Sequence, residues 1–348
     1  MFALRATVIA MMLTVLSIYW LMPLAKRIGL TDQPGGRKTH QGQIPLIGGI
    51  AMFIGFTFGL LSLDNSLGAY RSFMAGCALL IAIGILDDFH EISPRSRLIA
   101  QLLAGLLMTC WGGNILSHLG DLWFRGPVEL ANWGIPFTTL AVIGVINAIN
   151  MVDGSDGFAG CLCLVPVATL TLLASRQGLI LDVHILGLLF GVISIFLLFN
   201  FRFPRRKHAV IFMGDAGSMF LGFSLVWFLV SLSQGSHAAA KPVTMLWLTA
   251  IPLWDIANVL LRRVWQKSSP FTPDRNHIQH LLHAMGYNAL PASLIAMSLA
   301  IICAGIGLWG EYWHIPEAIL FWGFIGLFMV YVIWFNQAWR HTVVAKTE

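Results

Sequence analysis

Stretches of about 20 apolar residues recur along the whole chain, the length a helix needs to cross the hydrocarbon core of a bilayer. Eleven such runs can be placed, near 7–25, 45–63, 70–86, 97–113, 134–150, 157–175, 183–199, 217–234, 242–260, 289–309 and 317–338. Inside lipid every backbone N–H and C=O must find its partner within the protein, which restricts such runs to helices. Hydrophobic residues fill 57% of the 348 positions, charged residues 11%, and the mean hydropathy is +0.77, values that exclude a soluble domain. The expected fold is an all-α polytopic membrane protein with about eleven transmembrane helices. Nothing resembling a repeat or a long linker divides it, so one integral-membrane domain over 1–348 is the economical reading. The first run resembles the core of a signal peptide, but no cleavage site follows it and it is expected to be retained.

Charge sets the expected orientation, because cytoplasmic loops carry the excess of Lys and Arg. With the N-terminus outside, 16 of the 21 basic residues fall on the inner side, and only Arg5, Arg71, Arg125, Arg176 and Lys241 fall outside. A periplasmic N-terminus and a cytoplasmic C-terminus follow. The net charge of +5 is then a topology signal and requires no nucleic acid. The five cysteines lie inside apolar runs without CxxC spacing, so they read as small core residues.

The unusual chemistry gathers in the inner connections. The third run ends in Asp87-Asp88-Phe89-His90-Glu91. Two adjacent carboxylates near low dielectric need a cation or a base between them, although a solvated helix end is an equal account. The fifth run ends in Asn147-Ala148-Ile149-Asn150-Met151-Val152-Asp153-Gly154-Ser155-Asp156-Gly157. Close-set amide and carboxylate oxygens suit a magnesium ion that keeps some water and takes phosphate oxygens; a capping turn is the plainer alternative. Phe212-Met213-Gly214-Asp215-Ala216-Gly217-Ser218 places an acid at a helix start, where an N-cap aspartate is the commonest explanation.

After the ninth run come Arg262-Arg263 and then His277-Ile278-Gln279-His280-Leu281-Leu282-His283. Spaced by three on a helix, the imidazoles would form one stripe able to bind a diphosphate, or zinc. The first inner loop carries Arg37, Lys38 and His40 among glycines, a composition suited to a lipid phosphate or simply to anionic headgroups. Asp255 lies inside the ninth run. Hydrogen bonding between packed helices explains it as well as a reaction does, so it stays outside the candidate site.

Taken together, these motifs resemble the polyprenyl-phosphate N-acetylhexosamine-1-phosphate transferases. The similarity runs from the Arg37–Gly49 loop to the His277–His280 segment. Its most specific parts are Asn147 to Gly157 and Phe212 to Ser218. The resemblance implies that Asn150 and Asp215 hold Mg2+, with Mn2+ as a substitute, and that Asp87 and Asp88 lie beside the metal and the lipid phosphate. Asp153 and Asp156 would be a further acidic pair near the nucleotide sugar. Arg263, His277 and His280 would bind its diphosphate, and Lys38 would serve the lipid acceptor. The sequence departs from the family pattern at Glu91, usually Asp, and at Gln279, usually His.

The implied reaction joins a UDP-N-acetyl sugar to undecaprenyl phosphate at the cytoplasmic face of a bacterial inner membrane. It would release UMP and start a lipid-linked envelope glycan such as O-antigen. N-acetylglucosamine or a related acetamido sugar is expected, and a homodimer is left open. Asp87 as a general base and an aspartyl-phosphate intermediate both stay open as routes. An ion-coupled carrier is a rival reading, but carriers set their sites near the midplane, whereas these acids fall at span ends. An intramembrane aspartyl protease needs glycine where Phe212 stands.

Overall fold

The computed structural model describes residues 2–32, 43–202, 206, 208–266 and 277–343. Among them lie thirteen α-helices: α1 Phe2–Ile28, α2 Gly48–Leu61, α3 Arg71–His90, α4 Pro94–Leu106, α5 Gly134–Val152, α6 Phe158–Arg176, α7 Ile180–Asn200, α8 Gly214–Ser231, α9 Pro242–Leu248, α10 Ala250–Trp265, α11 Ile278–Ala284, α12 Ala289–Tyr312 and α13 Glu317–Val343. A two-residue antiparallel pair, Thr31–Asp32 with Ile44–Pro45, is the only sheet among the described residues. The protein is a polytopic membrane protein, and each of the eleven apolar runs is helical.

Not all eleven runs form a helix of full span length. Eight helices among the described residues are long and apolar enough to cross a bilayer, and a ninth span exists if α9 and α10 are taken as one. That pair bends by 82°. Pro252 lacks the N–H that would bond to the Leu248 carbonyl one turn back, so the helix cannot run straight through Thr249. Helix α2 has only 14 residues. Helix α4 has 13 and continues as a π-helical turn over Leu107–Trp111.

Helix α8 is the axis of the bundle, with α2, α3 and α5 packed on it. Its side chains from Ala216 to Val230 are all buried. Backbones come close here because small residues line the seam. A Cβ added at Gly84 of α3 would stand 2.3 Å from the Ala216 Cα. The site is built around the first turn of this enclosed helix.

Candidate active site

Helix α3 delivers Asp87 and Asp88 in its last turn, and the two do different things. Asp87 is 2% exposed. One of its oxygens accepts the Ile92 N–H at 3.0 Å, and the other pairs with the Arg97 guanidinium. The chain can return so sharply because Glu91 takes a left-handed conformation at φ +46°, after which Ser93 caps α4 and Pro94 opens it. Arg97 sits in that first turn of α4. Glu91, the third acid of the motif, is exposed.

Asp88 turns to α8. Its Oδ1 accepts the Asp215 N–H at 2.8 Å and its Oδ2 the Ala216 N–H at 3.4 Å, placing a carboxylate on the positive end of the helix dipole. Gly214 makes this contact possible. Its φ is +71°, and a Cβ there would meet Asp88 Oδ2 at 2.5 Å.

Asp215 is in turn held by Asn150 at the end of α5. The Asn150 Nδ2 donates to Asp215 Oδ1 at 2.5 Å and to Ser218 Oγ at 2.8 Å. With its nitrogen spent on two acceptors, Asn150 has its carbonyl oxygen left to offer. Asp215 Oδ2 lies 3.8 Å from Arg97 Nη1, so one guanidinium serves both acids.

The loop after α5 carries the remaining pair. Asp156 is buried and pairs with Arg202, and its carbonyl accepts from Ser293 of α12 at 3.0 Å. Asn200 fixes the loop from α7, accepting the Gly157 N–H at 2.5 Å and donating to the Ile211 carbonyl at 2.8 Å. Burial pushes the Asp153 carboxyl well above the usual carboxylate range, and the carboxylates of Asp215, Asp88 and Asp156 push it the same way.

The histidine segment docks on this loop, though not as one stripe. Helix α11 has seven residues and begins at Ile278, so His277 precedes it in extended backbone. The His277 Nδ1 lies 2.7 Å from Asp255 Oδ2. His283 bonds Ser155 Oγ through Nε2 at 2.8 Å, and its Nδ1 donates to the Tyr287 carbonyl at 2.9 Å. His280 is half-buried, with its ring 6.4 Å from that of His277. Gln279 donates to the Met151 carbonyl at 2.8 Å, the bond that seats α11 on the last turn of α5. Arg263 is buried in the last turn of α10, two turns beyond Asp255. Lys38 lies outside the described residues.

The acids and amides singled out by sequence therefore converge through α3, α5 and α8. Arg97, Arg202 and Ser218 join them without having been expected, while Asp255 stays outside the cluster, hydrogen-bonded to Tyr331 of α13 and to the start of α11. The signal that could have found the two arginines is the pairing that any buried carboxylate demands. Among the described residues no three His, Cys, Asp or Glu side chains converge on one point. Asp215 and Asn150, bonded to each other, still carry hard oxygens, and Asp153 is close enough to feel the Asp215 charge. That donor set fits a magnesium ion completed by water and phosphate oxygens.

A family model described as Glycosyl transferase family 4 matches residues 70–233. Similarity to curated proteins extends much further. The chain is 36% identical over 331 residues to the undecaprenyl-phosphate alpha-N-acetylglucosaminyl 1-phosphate transferase of Escherichia coli strain K12, covering 94% of this chain and 89% of that protein. The protein of that name from Yersinia pestis is 37% identical over 319 residues, 91% of this chain and 87% of the relative. That from Haemophilus influenzae is 38% identical over 328 residues, 94% and 92%.

Proposed function

Since the chain belongs to glycosyl transferase family 4, we propose that it transfers N-acetylglucosamine-1-phosphate from UDP-N-acetylglucosamine to undecaprenyl phosphate. The observation that carries this reading is the Asn150–Asp215 pair at the start of α8, with Arg97 between Asp215 and Asp87 and the acidic loop beside it. An oxygen of the lipid phosphate attacks the β-phosphorus of the nucleotide sugar, the bond from that phosphorus to the bridging oxygen breaks, and UMP leaves carrying that oxygen. The products are a lipid diphosphate sugar and UMP. Phosphoryl transfer of this kind needs positioning and charge neutralisation more than covalent help from the protein.

Asn150 and Asp215 would hold a magnesium ion, or manganese in its place, which supplies positive charge against the diphosphate. Arg97 adds a guanidinium on the same side. Asp87 has both oxygens engaged and almost no exposed surface, which supports a holding role toward Arg97 over a role as base. A base is also dispensable. A phosphate monoester has its second pKa at about 6, so the acceptor arrives largely dianionic. Direct transfer in one step fits this engagement of Asp87 better than an aspartyl-phosphate on it. His277, His280 and Arg263 face the diphosphate in this reading, and Lys38 serves the lipid phosphate.

The basic residues favour a cytoplasmic site, a periplasmic N-terminus and a cytoplasmic C-terminus in a bacterial inner membrane. The product would prime a lipid-linked envelope polysaccharide such as O-antigen. The deciding experiment incubates purified protein with undecaprenyl phosphate and several UDP-acetamido sugars and measures UMP. Release that depends on the lipid and is fastest with UDP-N-acetylglucosamine supports the reading, and silence with every sugar sinks it.

A further inference from the structure

One buried carboxylate lies outside the acidic cluster and is bonded to three donors. Asp255 in α10 has no exposed surface. Its Oδ2 lies 2.7 Å from His277 Nδ1, and its Oδ1 accepts the Ile278 N–H at 2.9 Å and the Tyr331 O–H of α13 at 3.1 Å. His277 and Tyr331 are themselves 6% and 8% exposed. An ionised carboxylate out of water is costly unless its lone pairs are met, and an apolar side chain of similar volume would pack there without that cost. Three donors on two oxygens meet the need and fix the geometry.

What the carboxylate fixes is the entry to α11. It holds the His277 ring through Nδ1 and the next residue through its backbone N–H, so the imidazole can neither swing nor slide along the chain. Nδ1 being engaged, Nε2 is the only ring nitrogen left for another partner. Beyond His277, the Gln279 bond to Met151 and the His283 bond to Ser155 tie the same short helix to the end of α5 and to the acidic loop after it. Any displacement at Asp255 is therefore passed to the imidazole first and then to the loop that carries Asp153 and Asp156.

We propose that Asp255 and Tyr331 are positioning residues for the diphosphate of the nucleotide sugar, acting through His277, whose Nε2 meets a phosphate oxygen. This rests on the transfer reaction proposed above. Tyr331→Phe removes a single hydroxyl and Asp255→Asn a single charge, with little change of shape. In each variant KM for the UDP-sugar should rise by about tenfold, the cost of a misplaced hydrogen bond to a charged group. The kcat at saturating sugar and KM for undecaprenyl phosphate should stay near wild type. Unchanged KM values in both variants, or a fall in kcat that tracks a fall in melting temperature at constant KM, would overturn the proposal and reduce the cluster to a structural anchor. Should Asp255→Asn fail to accumulate, Tyr331→Phe alone decides. If the wild-type protein itself releases no UMP, the transfer reading fails and takes this one with it; an active wild type beside kinetically unaltered variants defeats the positioning role alone.

Discussion

Asn150 Nδ2 stands 2.5 Å from Asp215 Oδ1, joining the last turn of α5 to the first turn of α8. The contact ties the two residues proposed to hold the metal to each other, and a second bond from the same nitrogen reaches Ser218 Oγ at 2.8 Å. Asp215→Asn keeps the shape and removes the charge. Turnover measured as UMP release should fall by about 10²–10³-fold, while expression and melting temperature stay close to wild type. Near-normal turnover would remove Asp215 from the charge-neutralising set.

Chelation probes the same place from the other side. Treatment with EDTA should abolish UMP release, and magnesium or manganese should restore it. Full turnover after exhaustive chelation would mean that Arg97 and the imidazoles neutralise the diphosphate alone.

Arg97 is shared between Asp87 and Asp215, and its side chain is 32% exposed where that of Asp87 is fully buried. Arg97→Met strands the buried acid and should destabilise the protein by about 1–3 kcal/mol, below the cost for a fully enclosed pair because water reaches part of the guanidinium. Adding Asp87→Asn should recover about half of the loss, since neighbours in contact do not behave additively. Thermal denaturation in detergent measures both, and strictly additive losses would break the link.

The raised pKa of Asp153 gives a stability trend with a definite sign. The folded protein binds this proton more tightly than the unfolded chain, whose ordinary value is 3.8. The associated stability is present below that value and drains away as pH rises through the folded pKa. Asp153→Asn removes the dependence. In EDTA, its melting temperature should exceed that of wild type by a margin that grows from pH 5 to pH 8. A constant margin would show that Asp153 is not pressed by its neighbours.

Gly214→Ala should be severe for so small a change. The position has φ +71°, and the added methyl would strike the Asp88 carboxylate at 2.5 Å. The left-handed backbone alone costs about 1 kcal/mol, and moving Asp88 uncaps α8. Turnover should fall by at least about tenfold, from misplacement of Asp215. An alanine variant with wild-type rate would mean that the Asp88 contact is dispensable.

Much of this was legible in the residues alone. Hydropathy marks every helix but the short α11, because lipid leaves the backbone no other choice, and the acids of three separate motifs do meet around α8. The crossings were harder to read: Pro252 breaks a run that looks continuous, and α2 is shorter than its apolar stretch. Arg97 and Arg202 read only as topology signals, because their partners Asp87 and Asp156 are recognised by packing and not by spacing. The histidines look like a stripe on a helix, yet the helix starts one residue too late to include His277, which belongs to Asp255. Asp255 itself carries no motif. Its meaning depends on Tyr331, 76 residues away.

The least apolar of the eight spans is also the most enclosed: α8, which carries Asp215. Such a segment gains little from lipid and much from neighbouring helices. Its place in the bilayer therefore leans on the helices packed around it, α2, α3 and α5, which form its cradle. The first turn of α8 takes its shape from that cradle, since Asp88 of α3 and Asn150 of α5 both bond to it.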